Sequence, residues 1–175
     1  VQTCALPILN NECIESVKGI IFFKKKYLLQ LRDNKKNIFF PNFWCLFGGR
    51  VNTNETYTEA LQREIKEEIN LIVNVKKKIM SNSYKMIGLK KKRKLIYYEC
   101  KKIKNTEMIL NEGQRFQFFK FDQIKKLKII PMDFVAINCH YHKNNNFISH
   151  LSTAPKKYSN DFRVYRYITG MFSSI

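Results

Sequence analysis

Gly49-Arg50-Val51-Asn52-Thr53-Asn54-Glu55, then seven residues, then Arg63-Glu64-Ile65-Lys66-Glu67-Glu68-Ile69-Asn70-Leu71, is the stretch on which the reading of this chain turns. Thr56 to Ile69 is the strongest helix candidate in the sequence: Tyr57, Leu61 and Ile65 recur at every fourth position and form an anchoring stripe. Glu64, Glu67 and Glu68 stand at i, i+3 and i+4, which on a helix confines them to an arc of about 100°. Three carboxylates on one face repel one another. The arrangement costs stability unless a cation lies against it, and a hard divalent ion, Mg²⁺ or Mn²⁺, suits an all-oxygen donor set. Arg63 adjoins the cluster. Glu59, four residues before it, has the favourable orientation for a helix ion pair with Arg63. Gly48-Gly49 precede the helix, and glycines there permit a tight turn and close approach of the backbone to a ligand.

The segment resembles the signature of the Nudix hydrolases: Gly, five residues, Glu, seven residues, Arg-Glu, an apolar residue, any residue, Glu-Glu, any residue, Gly, an apolar residue. Gly49, Glu55, Arg63, Glu64, Ile65, Glu67, Glu68 and Leu71 fall in register. Asn70 stands where the family has Gly; Asn is the next-best residue for left-handed backbone, so the helix end is expected to survive. Gln30-Leu31-Arg32 before Trp44-Cys45-Leu46-Phe47-Gly48-Gly49 resembles the family's opening strands, with Phe47 where proline is commoner. Glu112-Gly113-Gln114 resembles a loop that supplies an extra metal-ligating glutamate in some members, and Pro131 to His142 resembles the final helix.

What the resemblance implies is an α/β fold, the Nudix α/β/α sandwich with a mixed β-sheet. It implies Mg²⁺-dependent (Mn²⁺ as substitute) hydrolysis of a nucleoside diphosphate linked to another moiety: a nucleoside triphosphate, nucleotide sugar or dinucleotide. Glu64, Glu67 and Glu68 are then metal ligands, joined by the Gly49 carbonyl. One of these glutamates, or Glu112, is the general base, and Arg63 holds a glutamate in place. Glu55 either pairs with the helix or binds metal through water; its plainer role is an acid near a helix N-terminus. Glu112 is either a ligand or a loop acid facing water. Arg50 and Arg32 are substrate-binding candidates. So is Trp44, which with Phe40 and Phe43 either stacks on a nucleobase or packs in the core. The alternatives are a GDP-sugar hydrolase (the Gly48-Gly49-Arg50-Val51 run resembles that branch), an RNA 5′-end pyrophosphohydrolase using the basic run Lys90–Lys94, and an inactive nucleotide- or RNA-binding module.

Around this centre the sequence predicts a β-hairpin from Val17–Phe23 and Tyr27–Leu31, a loop from Asp33 to Asn42, and a short strand Trp44–Phe47. Further strands are expected at Leu71–Met80, Leu95–Cys100 and Arg115–Phe121, with a loop or hairpin end from Tyr84 to Lys94. Asp122 can cap a short helix to Leu127, and Pro131 suits the first turn of a helix ending near His142. Residues 1–8 (VQTCALPI) resemble translated sequencing-adaptor sequence and are set aside. Residues 9–142 form the Nudix-like domain, and 143–175 a linker and tail in which 162–172 suits a short helix.

The 175 residues carry 32 Lys or Arg against 14 Asp or Glu, a net charge of +18. Lys (25), Asn (17) and Ile (20) all have A/T-rich codons, while Arg, the better phosphate fork, numbers 7. The basic excess is therefore read as solvated surface before it is read as a nucleic-acid footprint. Apolar residues at 45% supply a core, and no run is long enough to span a membrane. Five unpatterned cysteines suit free thiols in a reducing cytoplasm. A monomer or homodimer acting on a small nucleotide-type substrate follows, RNA being the less favoured partner.

Overall fold

The computed structural model describes residues 13–84, 92–102 and 107–143. The adaptor-like segment 1–8, the tail beyond Lys143 with its helix at 162–172, and Lys90 and Lys91 of the basic run lie outside the described residues.

Strands β1 (Cys13–Phe23) and β2 (Lys26–Leu31) form the expected hairpin. Its tip is Lys24-Lys25, both at positive φ, as a two-residue turn between right-twisted strands requires. β3 is Trp44–Cys45, α1 is Tyr57–Ile69, β4 is Val73–Tyr84 and β5 is Lys92–Lys102. β6 (Arg115–Phe119), α2 (Phe121–Ile124) and α3 (Pro131–His142) follow. The strands make a six-stranded sheet in the order β3-β2-β1-β5-β4, with β6 also on β2. β1 runs parallel to β5 and every other pairing is antiparallel, so the sheet is mixed.

Pairing lengthens what apolar patterning shortens. Ser81–Ser83, beyond the expected strand, and Tyr84 and Lys92–Lys94, expected in a loop or hairpin end, belong to the paired strands, through pairs such as Ser83↔Lys94. Asp122 is not the α2 cap. Lys120 holds that position, Asp122 sits in the first turn paired to Lys125, and the helix stops at Ile124.

Side chains alternate across each strand, so neighbours enter opposite cores. Ile21 and Leu28 join Val17, Phe47 and Ile96 under Ala60, Leu61, Ile65 and Ile69 of α1. Ile20 and Leu29 join Tyr27, Trp44 and Tyr97 under Phe134, Val135 and Ile137 of α3. The result is the expected α/β/α sandwich. Leu61 and Ile65 are fully buried, each contributing roughly 1.5–3 kcal/mol. Segment 44–50 crosses within the sheet: Trp44 and Cys45 pair with β2, while Phe47 and Arg50 bridge to Gly19 and Ser16 of β1. That crossing carries Gly48 and Gly49 to the acidic face of α1.

Candidate active site

Thr56 opens α1 with a capping box: its hydroxyl accepts from Glu59 N–H and the Glu59 carboxylate accepts from Thr56 N–H. Glu59 is thus committed to the cap, and the expected Glu59–Arg63 pair is replaced. Arg63 instead meets Glu55, Nε to Oε1 at 2.7 Å and Nη2 to Oε2 at 3.0 Å. Its Nη1 donates to Glu64 at 2.8 Å and Glu67 at 3.1 Å, and Nη2 also donates to the Arg50 carbonyl. Hydrogen bonding to Arg63 holds the Glu55 carboxyl below the usual carboxylate range. The other end of α1 closes on Asn70, at φ 55° and ψ 30°, with its N–H on the Lys66 carbonyl.

Glu68 turns inward. It is 7% exposed, with Oε1 accepting from Gln30 Nε2 at 3.0 Å and Oε2 from Gly48 N–H at 2.8 Å. Burial pushes its pKa above the ordinary value, against the pull of Lys18, Gly48 and Gln30. Gly49 lies directly against the Glu64 carboxylate, so that any side chain at 49 would occupy the carboxylate's place. The Gly49 carbonyl accepts from Val17 N–H at 2.9 Å.

Loop residues 107–113 complete the site by gripping the end of α1. Ile109 N–H donates to Ile69 O, Asn111 N–H to Glu68 O, and Asn111 Nδ2 to Glu67 O. This clasp brings Glu112 into an open cleft of about 360 Å³ that it lines with Glu68, Gln30, Arg32 and Lys35.

The NUDIX domain profile matches residues 15–136. The chain belongs to the Nudix family. Solved Nudix-type folds superimpose on it at low identity. E. coli ORF135 protein is 20% identical, with TM-score 0.64, covering 75% of this chain and 90% of that one. The MutT protein of Methanosarcina mazei Go1 is 20% identical, with TM-score 0.60, covering 82% and 96%. A C. elegans Ap4A hydrolase is 18% identical, with TM-score 0.61, covering 74% and 96%. No curated protein sequence matches the chain. As a Nudix hydrolase it is an enzyme acting on pyrophosphate bonds.

Of the residues singled out from the Nudix signature, the fold brings Glu55, Arg63, Glu64 and Glu67 into one hydrogen-bonded cluster, with Gly49 packed against Glu64. Glu68, Glu112 and Arg32 share the cleft. Trp44 needs a correction. It is 6% exposed, lies edge-on to Phe119, and has the Arg115 guanidinium over its ring, so it packs rather than presenting a face to a base. Arg50 is exposed and enters the site through its carbonyl. Among the described residues no three His, Cys, Asp or Glu side chains already converge as a metal site, because Arg63 draws on Glu64 and Glu67 while Glu68 faces Gly48. The donor set nevertheless fits a hard divalent cation: every group is an oxygen, and the Glu64 carboxylate and Gly49 backbone are in contact.

The basic run does not make an open track where it is described. Lys94 donates to Glu15 and Tyr57, and Arg93 lies over the Phe39 ring. The site's unassigned members are Gln30, Lys18 and Asp133. Each is a polar residue interrupting an apolar run, in YLLQL, VKGII and PMDFVAI, and that interruption is the signal that finds them. No helix among the described residues is long and apolar enough to cross a membrane.

Proposed function

We propose that this Nudix hydrolase cleaves the pyrophosphate linkage of a small nucleotide derivative, a nucleoside diphosphate joined to a further moiety, with Mg²⁺ or Mn²⁺ as cofactor. The observation that carries the reading is the convergence of Glu64 and Glu67 on Arg63, with Glu64 against Gly49 and with Glu68 and Glu112 lining a cleft. The resemblance to an Ap4A hydrolase favours a nucleotide as the anhydride's carrier.

Glu64, Glu67, Glu68 and the Gly49 carbonyl would hold the cation, with Glu112 as a further ligand. When bound, the metal neutralises diphosphate charge and lowers the pKa of water. Arg63 aligns Glu64 and Glu67 and is itself fixed by Glu55. Arg32 and Lys35 line the cleft and offer cationic partners to the substrate phosphates. Water attacks phosphorus, the bridging P–O bond breaks toward the leaving phosphate, and a carboxylate of the set accepts the water's proton. Glu68 and Glu112, which line the cleft, are the candidates for that role. The acidic island would be converted by bound metal into an anion site, within a protein of net charge +18 that attracts anionic substrates.

The test is a release assay on purified protein with nucleoside triphosphates, nucleotide sugars, dinucleoside polyphosphates and 5′-triphosphorylated RNAs of graded length, with Mg²⁺ and with EDTA. Metal-dependent turnover of a small nucleotide, abolished in Glu64→Gln and Glu68→Gln, is the expected result. Full activity in either variant would overturn the assigned roles. Rates that climb with RNA length would move the substrate to RNA.

A further inference from the structure

Lys18 sits in β1 within a run that is otherwise apolar. Its Nζ donates to the Leu46 carbonyl at 3.0 Å and to the Gly48 carbonyl at 2.7 Å. The two carbonyls of the opposite parity, Phe47 and Gly49, accept from Gly19 N–H and Val17 N–H, each at 2.9 Å. Four consecutive carbonyls are therefore held by three consecutive residues of β1, alternately by its backbone and by one ammonium group.

The arrangement has a physical reason. Phe47 and Gly49 face β1, whereas Leu46 and Gly48 face the other edge, where pairing with β2 covers only Trp44 and Cys45. Beyond Cys45 that edge has no strand to donate to it among the described residues, and buried carbonyls without donors are costly. Lys18 supplies the missing donors. The same Gly48 whose carbonyl it holds gives its N–H to Glu68. Gly48 has φ +123°, and a side chain there would strike the Val17 carbonyl, so the turn is pressed against β1. On the far side, Asp133 accepts from Leu46 N–H at 2.8 Å and from Tyr97 OH at 2.9 Å. The two residues whose carbonyls Lys18 holds, Leu46 and Gly48, give their N–H groups to the buried acids Asp133 and Glu68, so its charge lies near both and lowers the cost of burying them.

We propose that Lys18 is the positioning residue of this active site. Its ammonium group replaces an absent strand, fixes the Gly48–Gly49 turn, and through that turn sets Glu68 and the Gly49 carbonyl in place. The inference rests on the hydrolase reading above for its kinetic consequence, but its structural consequence can be read without turnover.

The experiment compares Lys18→Met, which keeps the aliphatic stem, and Lys18→Arg, which keeps charge and donors, with the wild type. Amide hydrogen exchange is followed at Gly48, Mn²⁺ affinity is measured by electron paramagnetic resonance on the protein alone, and kcat and KM are measured on the best substrate of the panel. In Lys18→Met the Gly48 amide is expected to exchange at least about tenfold faster, and Mn²⁺ affinity and kcat to fall by about tenfold or more, with KM within about threefold. Lys18→Arg is expected to recover most of each loss. If Lys18→Met does not fold, Lys18→Gln, too short to span both carbonyls, takes its place with the same thresholds. Wild-type exchange at Gly48 in the neutral variant, or equal losses in the Arg and neutral variants, would overturn the positioning role. Wild-type protein that binds no Mn²⁺ and hydrolyses nothing would instead count against the hydrolase reading, and the exchange arm would still decide Lys18.

Discussion

Arg63 and Glu55 meet fork to fork, through Nε–Oε1 and Nη2–Oε2 hydrogen bonds of 2.7 and 3.0 Å. This geometry leaves Nη1 free to span Glu64 and Glu67. A lysine would keep the charge but gather its donors on one nitrogen, where three carboxylates need a planar fork. Arg63→Lys is therefore expected to lower kcat or metal affinity by about ten- to a hundredfold, and Glu55→Gln to lose less, since the amide oxygen can still accept from Arg63. Steady-state kinetics with a metal titration decide it; wild-type values in Arg63→Lys would show the fork to be dispensable.

Glu68 separates activity from stability. Burial raises its pKa, so the fold holds the charged form at a cost. Glu68→Gln removes that charge, and Gln30 can rotate its amide to suit the new side chain. Stability should stay within about 1 kcal/mol of wild type, while kcat falls a hundredfold or more, equivalent to about 2.7 kcal/mol. Chemical denaturation and kinetics on one preparation check both halves. A variant that is active, or one that loses activity only because it unfolds, contradicts this.

The box helix was legible because its information is local. Spacing alone placed Glu64, Glu67 and Glu68 on one face, and Asn70 kept the left-handed end that its side chain tolerates. The partners of Glu68 were not legible as such. Gln30, Gly48 and Lys18 approach it from β1, β2 and the crossing segment, so their meeting depends on strand register that no spacing rule encodes. Glu59 shows the converse: two local rules, the capping box and the i,i+4 pair, competed for one carboxylate, and the cap won because Glu55 claimed Arg63. Trp44 was ambiguous for a further reason. An aromatic beside a glycine turn suits either a base or a core, and only the packing of Phe119, Arg115 and the α3 side chains around it decides.

That position makes Trp44 a stability residue. With its indole buried against Phe119, Trp44→Ala is expected to cost about 3–5 kcal/mol. Trp44→Phe, which retains an aromatic edge, should cost less and leave KM for the nucleotide within about twofold, since the ring does not line the cleft. A large rise in KM in a stably folded Trp44→Phe would restore a substrate-binding role.

Asn70 sits at φ 55°, with its side chain donating to the Glu107 carbonyl at 3.3 Å. Alanine there meets the left-handed penalty of about 1–2 kcal/mol without that hydrogen bond, so Asn70→Ala should destabilise by about that amount. Asn70→Gly restores the family's residue and should fall within about 0.5 kcal/mol of wild type, as glycine's freedom at the cap offsets the lost contact. Urea unfolding of the three proteins measures the order; alanine as stable as glycine would mean that the helix end is not held in this geometry.

His140 gives the fold a pH dependence separable from that of its carboxylates. The Tyr27 hydroxyl lies 3.0 Å from His140 Nδ1, and Glu99 is 3.8 Å from Nε2. Burial holds its pKa below the ordinary 6.5, with Glu99 opposing and Lys77 assisting. The folded protein therefore takes up this proton less readily than the unfolded chain. Stability from this group is complete above the ordinary histidine pKa and is lost as pH falls through it toward the lower folded value. Glu15 and Glu55, also held low, lose theirs in a separate window below the ordinary carboxylate pKa of 4.5. Buried Glu68 and Asp133 shift the opposite way, but these acids are common to wild type and variant. The difference in thermal midpoint between wild type and His140→Phe, followed from pH 8 down to about 5, should shift against the wild type on descending through the histidine range. Parallel curves for the two proteins across that interval would show that His140 does not carry the effect.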